Sequence, residues 1–90
     1  MDAIVNMIVD GDTFDIAGGW SWSGQTGTRI RPTGYDAPEV GTPGAAFATH
    51  RLRGLILGKT ITLRNPVRVD RGRLVADVFL NGTNIASYFH

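Results

Sequence analysis

The sequence predicts a small, mainly β protein, a barrel or a sandwich with one helix, and three observations support this prediction. Twelve glycines and four prolines in 90 residues supply frequent turn signals. The apolar runs between these signals are short and often alternate with polar residues, which is the period of a strand with one buried face. One segment has the apolar spacing and the capping signals of a helix. A chain of this length predicts a single domain over residues 1–90.

Composition and charge exclude several kinds of site. The formal net charge of +1 is close to neutral, so any binding of phosphate must depend on local charges. The absence of cysteine excludes disulfides and thiolate zinc sites, and His50 and His90 cannot form a metal cluster alone. The first ten residues carry an acidic residue at position 2 and too short an apolar run for a signal peptide or a membrane span. The compartment stays open: secreted if a leader was removed, otherwise cytoplasmic.

The first third of the chain predicts a meander of three strands. Residues 3–9 are rich in Ile and Val, and Asp10-Gly11-Asp12 interrupts them before the extended pattern resumes, so two strands are joined at Gly11. Trp20 and Trp22 alternate with serine in a long hairpin excursion, and residues 28–31 alternate again as a third strand. Two alternatives apply to the tryptophans: they pack on the barrel or stack on bases.

The best helix is predicted over residues 43–57. Thr42 would be its N-cap, Pro43 would occupy the first helical position, and Gly58 lies just beyond the last apolar residue. Arg51 and Arg53 fall on other faces of this helix and are predicted to be solvated surface residues rather than a binding site. The expected core stripe consists of Ala45, Ala48, Leu52, Leu55 and Ile56.

The last third predicts two more strands and the start of a second helix. Residues 59–63 alternate as a fourth strand, residues 72–80 form a fifth, and Asn81-Gly82 is a turn. Residues 85–89 would begin a helix capped by Asn84. Three strands, a helix and two strands is the order of a five-stranded OB-like barrel.

The segment from Arg31 to Glu39 is the best candidate for chemistry. In one strand Arg31 and Asp36 would point to opposite faces, but Gly34 can take a bent backbone that re-aims the residues after it. Pro38 keeps Ala37 out of the helical region and ends the strand before Glu39. Carboxylates on such a loop are placed where functional groups are commonly displayed.

The charged residues together suggest hydrolysis of a phosphodiester. Asp12 and Asp36 follow strands that can be neighbours, and two converging carboxylates repel unless a cation such as calcium joins them. Arg31 and Arg73 would bind a phosphate as planar charged forks, and Glu39 would hold or activate a water. The alternative for Asp10-Gly11-Asp12 is a structural Asx turn, and the alternative for Arg73 is a surface arginine.

Several short motifs in this chain resemble the staphylococcal nuclease, or thermonuclease, domain family. They run in the order found in that family, from residue 5 to about residue 86. The matching pieces are Val9-Asp10-Gly11-Asp12-Thr13-Phe14, Ile30-Arg31, Asp36-Ala37-Pro38-Glu39, Leu55-Ile56-Leu57-Gly58-Lys59, Asp70-Arg71-Gly72-Arg73 and Ala76-Asp77-Val78-Phe79-Leu80-Asn81-Gly82.

The resemblance implies an OB-fold, a five-stranded Greek-key barrel, and a calcium-dependent nuclease that cleaves DNA and/or RNA to leave 3′-phosphate ends. It makes Asp12 and Asp36 metal ligands together with the Ala37 backbone carbonyl, and it places Thr13 beside the metal shell. It gives Arg31 and Arg73 the phosphate-binding and transition-state roles and Glu39 the water-activating role. A single-stranded substrate is expected, and no membrane partner.

This chain also departs from the family. The excursion between Asp12 and Arg31 is longer, Arg71 stands where an aromatic residue is usual, and the family's C-terminal helices are largely absent. We therefore expect a C-terminally truncated domain with an uncovered apolar face that lowers stability or drives self-association. The alternative function is a non-catalytic OB module that binds single-stranded nucleic acid through Trp20, Trp22 and the arginines. A third possibility is an interaction domain without a nucleic-acid role.

Overall fold

The computed structural model describes residues 1–89, which form six β-strands, one α-helix and a C-terminal 3₁₀ helix; His90 lies outside the described residues. The strands are β1 (Asp2–Asp10), β2 (Thr13–Trp22), β3 (Gln25–Pro32), β4 (Thr60–Asp70), β5 (Arg73–Leu80) and the short β6 (Thr83–Asn84). The helix α1 (Ala45–Ile56) lies between β3 and β4, and the 3₁₀ helix spans Ile85–Phe89.

The first five strands close into a barrel. β1, β2 and β3 form an antiparallel meander, β1 also pairs with β4, and β4 pairs with β5. The sheet has the strand order β3-β2-β1-β4-β5-β6. The parallel pairing of β3 with β5 closes the barrel, because it joins the first strand of this order to the fifth. This arrangement confirms the predicted mainly β fold with one helix and an OB-type barrel.

The barrel interior is filled by apolar side chains from every long strand and from α1. Trp20 belongs to this core: it is 4% exposed, and its indole N–H donates a hydrogen bond to the Arg29 carbonyl at 2.8 Å. Trp22 packs against the same core and is partly buried. Of the two alternatives for the tryptophans, the structure therefore supports packing on the barrel. The largest fully buried side chains are Phe14, Ile16, Ile30, Leu52, Ile56, Ile61, Ile85, Val5 and Val78.

The helix begins later than predicted. Its N-cap is Gly44, which has no side chain to cap with, so the expected cap at Thr42 is wrong. The Thr42 hydroxyl instead donates to the Glu39 carbonyl at 2.6 Å, and this bond closes a separate turn before the helix. The buried face consists of Ala48, Leu52 and Ile56, whereas Ala45 and Leu55, predicted to belong to the core stripe, lie half-buried at its edges.

Two further elements differ from their predictions. The fourth strand does not end at Leu63 but continues to Asp70, because a bulge at Asn65, with φ of 51°, lets pairing with β5 resume. Residues 85–89 form a 3₁₀ helix rather than the first turns of an α-helix. The Asn84 side chain caps it as predicted, accepting a hydrogen bond from the Ala86 N–H at 2.9 Å. No helix in residues 1–89 is long and apolar enough to span a bilayer.

Candidate active site

The residues predicted to carry chemistry converge on one cleft of about 640 Å³ at the mouth of the barrel. Its walls are the β1–β2 turn, the loop that follows β3 and the β4–β5 turn, which are far apart in sequence and are brought together by barrel closure. Thr13 lies buried beneath the cleft. The lining residues are Asp10, Asp12, Arg31, Asp36, Ala37, Pro38, Glu39, Val40, Asp70, Arg71 and Arg73.

The turn that carries Asp12 is packed very closely. The Asp12 N–H donates to the Asp10 carboxylate at 3.1 Å, so Asp10 forms the Asx turn that the sequence suggested. A Cβ atom on Gly11 would lie 2.7 Å from the Ala48 Cβ and 2.8 Å from the Ala37 Cβ. Only glycine therefore allows this turn to touch the helix and the loop at once.

The loop after β3 is fixed by Tyr35. Its hydroxyl donates to the Gly11 carbonyl at 3.0 Å, and its ring stacks on Phe89 with centroids 4.2 Å apart and planes 5° from parallel. Burial raises the pKa of the Tyr35 hydroxyl, and the nearby Asp12 and Asp10 carboxylates add to the effect. The hydroxyl therefore stays a hydrogen-bond donor, and the adjacent Asp36 is held at the cleft.

Arg31 lies between the two predicted metal ligands. Its Nη2 pairs with an oxygen of Asp36, and its Nε is 3.8 Å from the Asp12 Oδ2. Only 21% of its side chain is exposed, and its Nε is buried without a hydrogen-bond acceptor within the described chain. The nearby Asp12 and Asp36 carboxylates therefore compensate the charge of this largely buried guanidinium.

The environment of Asp12 disfavours its ionised form. Burial raises the pKa of Asp12, and the Asp10 side chain reinforces this shift, while the Ala37 N–H and Arg31 oppose it. The Ala37 N–H is 3.3 Å from the Asp12 Oδ2, which ties the loop to the turn at a second point. A cation bound here would stabilise the carboxylate against its burial.

Arg73 is held in a fixed orientation. The two residues before it, Arg71 and Gly72, have φ of 53° and 77°, as a tight two-residue turn requires, and they place Asp70 opposite Arg73. Its Nη2 pairs with the Asp70 carboxylate at 3.3 Å, and its Nη1 donates to the Thr13 hydroxyl at 3.2 Å. Arg73 is therefore a cleft residue and not the solvated surface arginine of the alternative.

Thr13 connects the two sides of the cleft. It is 2% exposed, and its hydroxyl donates to the Asp12 Oδ1 at 3.3 Å while it accepts from Arg73. One hydrogen-bonded path thus runs from Arg73 through Thr13 to Asp12, and Arg31 links Asp12 to Asp36. The position of each charged group depends on the others.

Glu39 is exposed at the outer rim of the cleft. Its backbone carbonyl accepts the Thr42 bonds that close the turn before the helix, so its backbone is fixed. Its carboxylate takes part in none of the ion pairs that the structure describes. The carboxylate is therefore available to orient a water molecule.

The donor chemistry of the cleft fits a hard divalent cation. Asp12 and Asp36 offer carboxylate oxygens and Ala37 a carbonyl oxygen, which are the ligand types that calcium prefers. Within residues 1–89 no group of three or more His, Cys, Asp or Glu side chains is arranged to hold a metal ion. The protein would thus supply two carboxylates, and backbone carbonyls and water would complete the shell.

Three residues of the site were not predicted to serve it in this way. Asp10 was interpreted only as a turn residue, although it also acts on the pKa of Asp12. Asp70 could have been found from the sequence, because it stands just before the tight turn Arg71-Gly72 and therefore opposite Arg73. Tyr35 has no sequence signal, because its stacking partner Phe89 lies at the other end of the chain.

Comparison with known proteins gives two similar relatives and no matching family model. The chain is 28% identical over 82 residues to proteins described as "Uncharacterized endonuclease" from Escherichia coli O157:H7 and from Escherichia coli. Each match covers 90% of this chain and 50% of the relative, so the chain spans about half the length of the curated relatives it matches.

Proposed function

We propose that this protein is a thermonuclease-like enzyme that hydrolyses phosphodiester bonds of DNA and/or RNA with calcium and leaves 3′-phosphate ends. The observation that carries the proposal is the convergence of two carboxylates, two oriented arginines and one unpaired carboxylate in a single cleft. The endonuclease description of the relatives supports the same class of reaction. Because the chain spans half of those relatives, the proposal concerns the residues present here.

Arg31 and Arg73 would bind the non-bridging oxygens of the phosphate that is cleaved. Their side chains are 21% and 19% exposed, so both guanidinium groups are largely desolvated and are oriented before substrate arrives. Fixed donors of this kind stabilise the charge that develops on phosphorus oxygens without reorganising during the reaction. Because the forks are recessed, the phosphate must enter the cleft, which favours a flexible single strand over a rigid duplex.

Asp12, Asp36 and the Ala37 carbonyl would hold the calcium ion. When bound, the ion would supply positive charge to the phosphate oxygens and to a coordinated water. Arg31 now neutralises both carboxylates, so a cation that took over this task would leave the guanidinium for the substrate. Arg31 would thus neutralise the two carboxylates before the ion binds, and the ion would neutralise them afterwards.

Glu39 would accept the proton of the attacking water. The water oxygen would form the new bond to phosphorus while the bond from phosphorus to the 5′ oxygen breaks, and that oxygen would leave as a hydroxyl after taking a proton from solvent, to which Glu39 later returns its own. This bond choice yields the 3′-phosphate. The exposed position of Glu39 at the cleft rim lets a water molecule reach it from solvent.

A second part of the proposal concerns contacts between copies of the chain. Ile4 and Met7 on β1 are 52% and 55% exposed, and they would supply apolar surface for self-association. Light scattering across a concentration series tests this point. A constant monomer mass would contradict it, and Ile4→Ser with Met7→Ser should remove any dimer that the parent chain forms.

The decisive experiment compares digestion of labelled denatured DNA in calcium with digestion in excess chelator. We expect cleavage in calcium alone, with products that a 3′-phosphatase shifts on a gel. Asp36→Asn should weaken calcium binding far more than it lowers the melting temperature, because the Asp36 side chain is 81% exposed. Equal digestion in chelator would refute the metal assignment, and binding without cleavage in either condition would favour the binding-only alternative.

A further inference from the structure

A row of side chains crosses the outer face of three strands next to the cleft. In the sheet register Val75 of β5 lies opposite Arg31 of β3 on one side and opposite Arg68 of β4 on the other. Directly opposed residues point to the same face of a sheet. The neighbouring row, in which Leu74 pairs with Ile30, belongs to the barrel core, so the row with the two arginines lies on the other face of the sheet. On that face Val75 is itself only 3% exposed, whereas Arg68 is exposed and Arg31 is half-buried.

The two arginines of this row line a second pocket of about 360 Å³. Arg31 and Asp36 line both this pocket and the catalytic cleft, so the two spaces lie on either side of this ion pair. Arg68 is exposed and takes part in none of the ion pairs that the structure describes. Its charge is therefore not committed within residues 1–89.

The charge of the second pocket is suited to an anion. Two of its lining residues are arginines, and the one acidic side chain among them, Asp36, is already paired with Arg31. The one aromatic ring that lines it belongs to Tyr35, and that ring stacks on Phe89. One face of the Tyr35 ring is therefore occupied by Phe89, whereas the Arg68 guanidinium is uncommitted and offers a phosphate a charged donor group.

We propose that this second pocket binds a phosphate of the substrate strand adjacent to the one that is cleaved, with Arg68 as its ligand. The inference rests on the proposed nuclease function and extends it, because it makes the enzyme read at least two consecutive phosphates. The backbones of β3 and β4 lie on either side of β5, so they are about 9 to 10 Å apart at this row. Long arginine side chains from these strands can reach groups one nucleotide apart.

The test measures binding of fluorescent oligothymidylates in which one phosphate at a time is replaced by a neutral methylphosphonate. Calcium is present, and Glu39→Gln is introduced into every chain tested, so that binding is read without cleavage. Arg68→Ala should weaken binding of the unmodified strand by about tenfold, as expected for one charge-assisted contact. It should also reduce the slope of log affinity against log salt concentration by about one, the value for one phosphate contact.

The methylphosphonate series identifies the phosphate itself. For one substituted position, parent chain and Arg68→Ala should bind equally, because the contact is already lost from the strand. Arg53→Ala is the matched control, since it removes the same charge from an exposed position on α1. It should leave affinity and salt dependence unchanged.

The outcomes separate this inference from the proposed function. If Arg31→Ala weakens binding while Arg68→Ala does not, the cleft binds nucleic acid and the second phosphate site is wrong. If Arg68→Ala weakens every oligonucleotide of the series equally, Arg68 acts as a diffuse charge and the specific contact is refuted. If the parent chain binds no oligonucleotide, the proposed function fails and the inference fails with it.

Discussion

The Tyr35 hydroxyl donates a hydrogen bond to the Gly11 carbonyl at 3.0 Å, and this bond joins the two segments that carry the carboxylates of the cleft. Gly11 precedes Asp12 in the β1–β2 turn, and Tyr35 precedes Asp36 in the loop after β3. The ring of Tyr35 also stacks on Phe89. Besides the Ala37 N–H and Arg31, an uncharged side chain therefore helps to set the spacing of the two carboxylates.

Tyr35→Phe removes this hydrogen bond and keeps the ring stack. We expect the free energy of unfolding to fall by about 1 kcal/mol, which is typical of one hydrogen bond. The free energy of calcium binding should fall by more than this, because the two carboxylates are no longer held together. Thermal melts and calorimetric calcium titration measure the two effects.

Tyr88→Phe is the matched control for this change, since Tyr88 is 39% exposed and only its backbone carbonyl takes part in a described hydrogen bond. It should change neither property. A Tyr35→Phe chain with normal calcium affinity would show that backbone packing alone positions Asp36.

Gly11→Ala tests the close packing of the β1–β2 turn. The added methyl would lie within 2.8 Å of both Ala48 and Ala37, so the turn, the loop or the helix must move. We expect a destabilisation of about 1 to 3 kcal/mol and a marked loss of nuclease activity, because Asp12 and Ala37 shift apart. Denaturant unfolding and initial rates measure these effects.

Gly54→Ala provides the control, since Gly54 lies within α1 and has no atom within 4 Å of an added Cβ. This change should raise stability by about 0.5 to 1 kcal/mol through helix propensity and leave activity unchanged. If Gly11→Ala stays as active as Gly54→Ala, the contact among turn, loop and helix does not govern the site.

The parts of this molecule that could be predicted from sequence are those with local signals. Alternating apolar residues marked β1 to β3, and Gly34 and Pro38 marked the bend that displays Asp36. The strand beyond Leu63 was missed because Asn65-Pro66 has the composition of a turn, whereas pairing with β5 turns it into a bulge. That pairing is non-local, and no pattern within β4 reveals it.

The same distinction applies to the cleft. Arg31, Asp36 and Glu39 could be grouped because they share one short loop. The network through Thr13, Asp70 and Tyr35 could not, because each contact joins residues from separate segments of the chain or depends on which face of a strand is buried. Their chemical roles remain predictions, which the variants described here test.

Asp77 should contribute to stability in a pH-dependent way. Hydrogen bonds from Asn65 and Thr33 lower the pKa of the Asp77 carboxyl in the folded chain. Because the folded pKa lies below the unfolded one, this stabilisation is fully present above the usual carboxyl range of about 4 and is lost as the pH falls through the folded pKa.

Asp77→Asn should therefore destabilise the chain at neutral pH, and the difference from the parent should shrink as the pH is lowered below about 4. Chemical unfolding at pH 7, 5, 4 and 3 measures this trend. Asp2→Asn is the control, since the structure describes one side-chain hydrogen bond to the Asp2 carboxylate, from the Thr62 hydroxyl. A difference between parent and Asp77→Asn that stays constant with pH would contradict the assignment.

The last prediction separates the charge of Arg73 from its geometry. Its guanidinium is fixed by Asp70 and Thr13, so two donors are oriented before substrate binds. Arg73→Lys keeps one positive charge but cannot keep the planar fork or both contacts. If transition-state stabilisation depends on that planar geometry, Arg73→Lys should lose most of what Arg73→Ala loses, on the order of 100 to 1,000-fold in kcat.

Arg53→Ala is the control and should stay near the parent rate. It is a better control than Arg51→Ala, because Arg51 donates to the Tyr88 carbonyl and lies 5.9 Å from the Phe89 ring centroid. Arg73 is 19% exposed and also donates to the buried Thr13 hydroxyl, so its removal should lower stability by about 1 to 3 kcal/mol, and rates are compared at a temperature where the melting curves show each variant folded. Steady-state kinetics on denatured DNA, with melting curves for each variant, provide the comparison. An Arg73→Lys chain that cleaves at the parent rate would mean that Arg73 acts as a point charge, and the orienting role of Thr13 and Asp70 would have no part in catalysis.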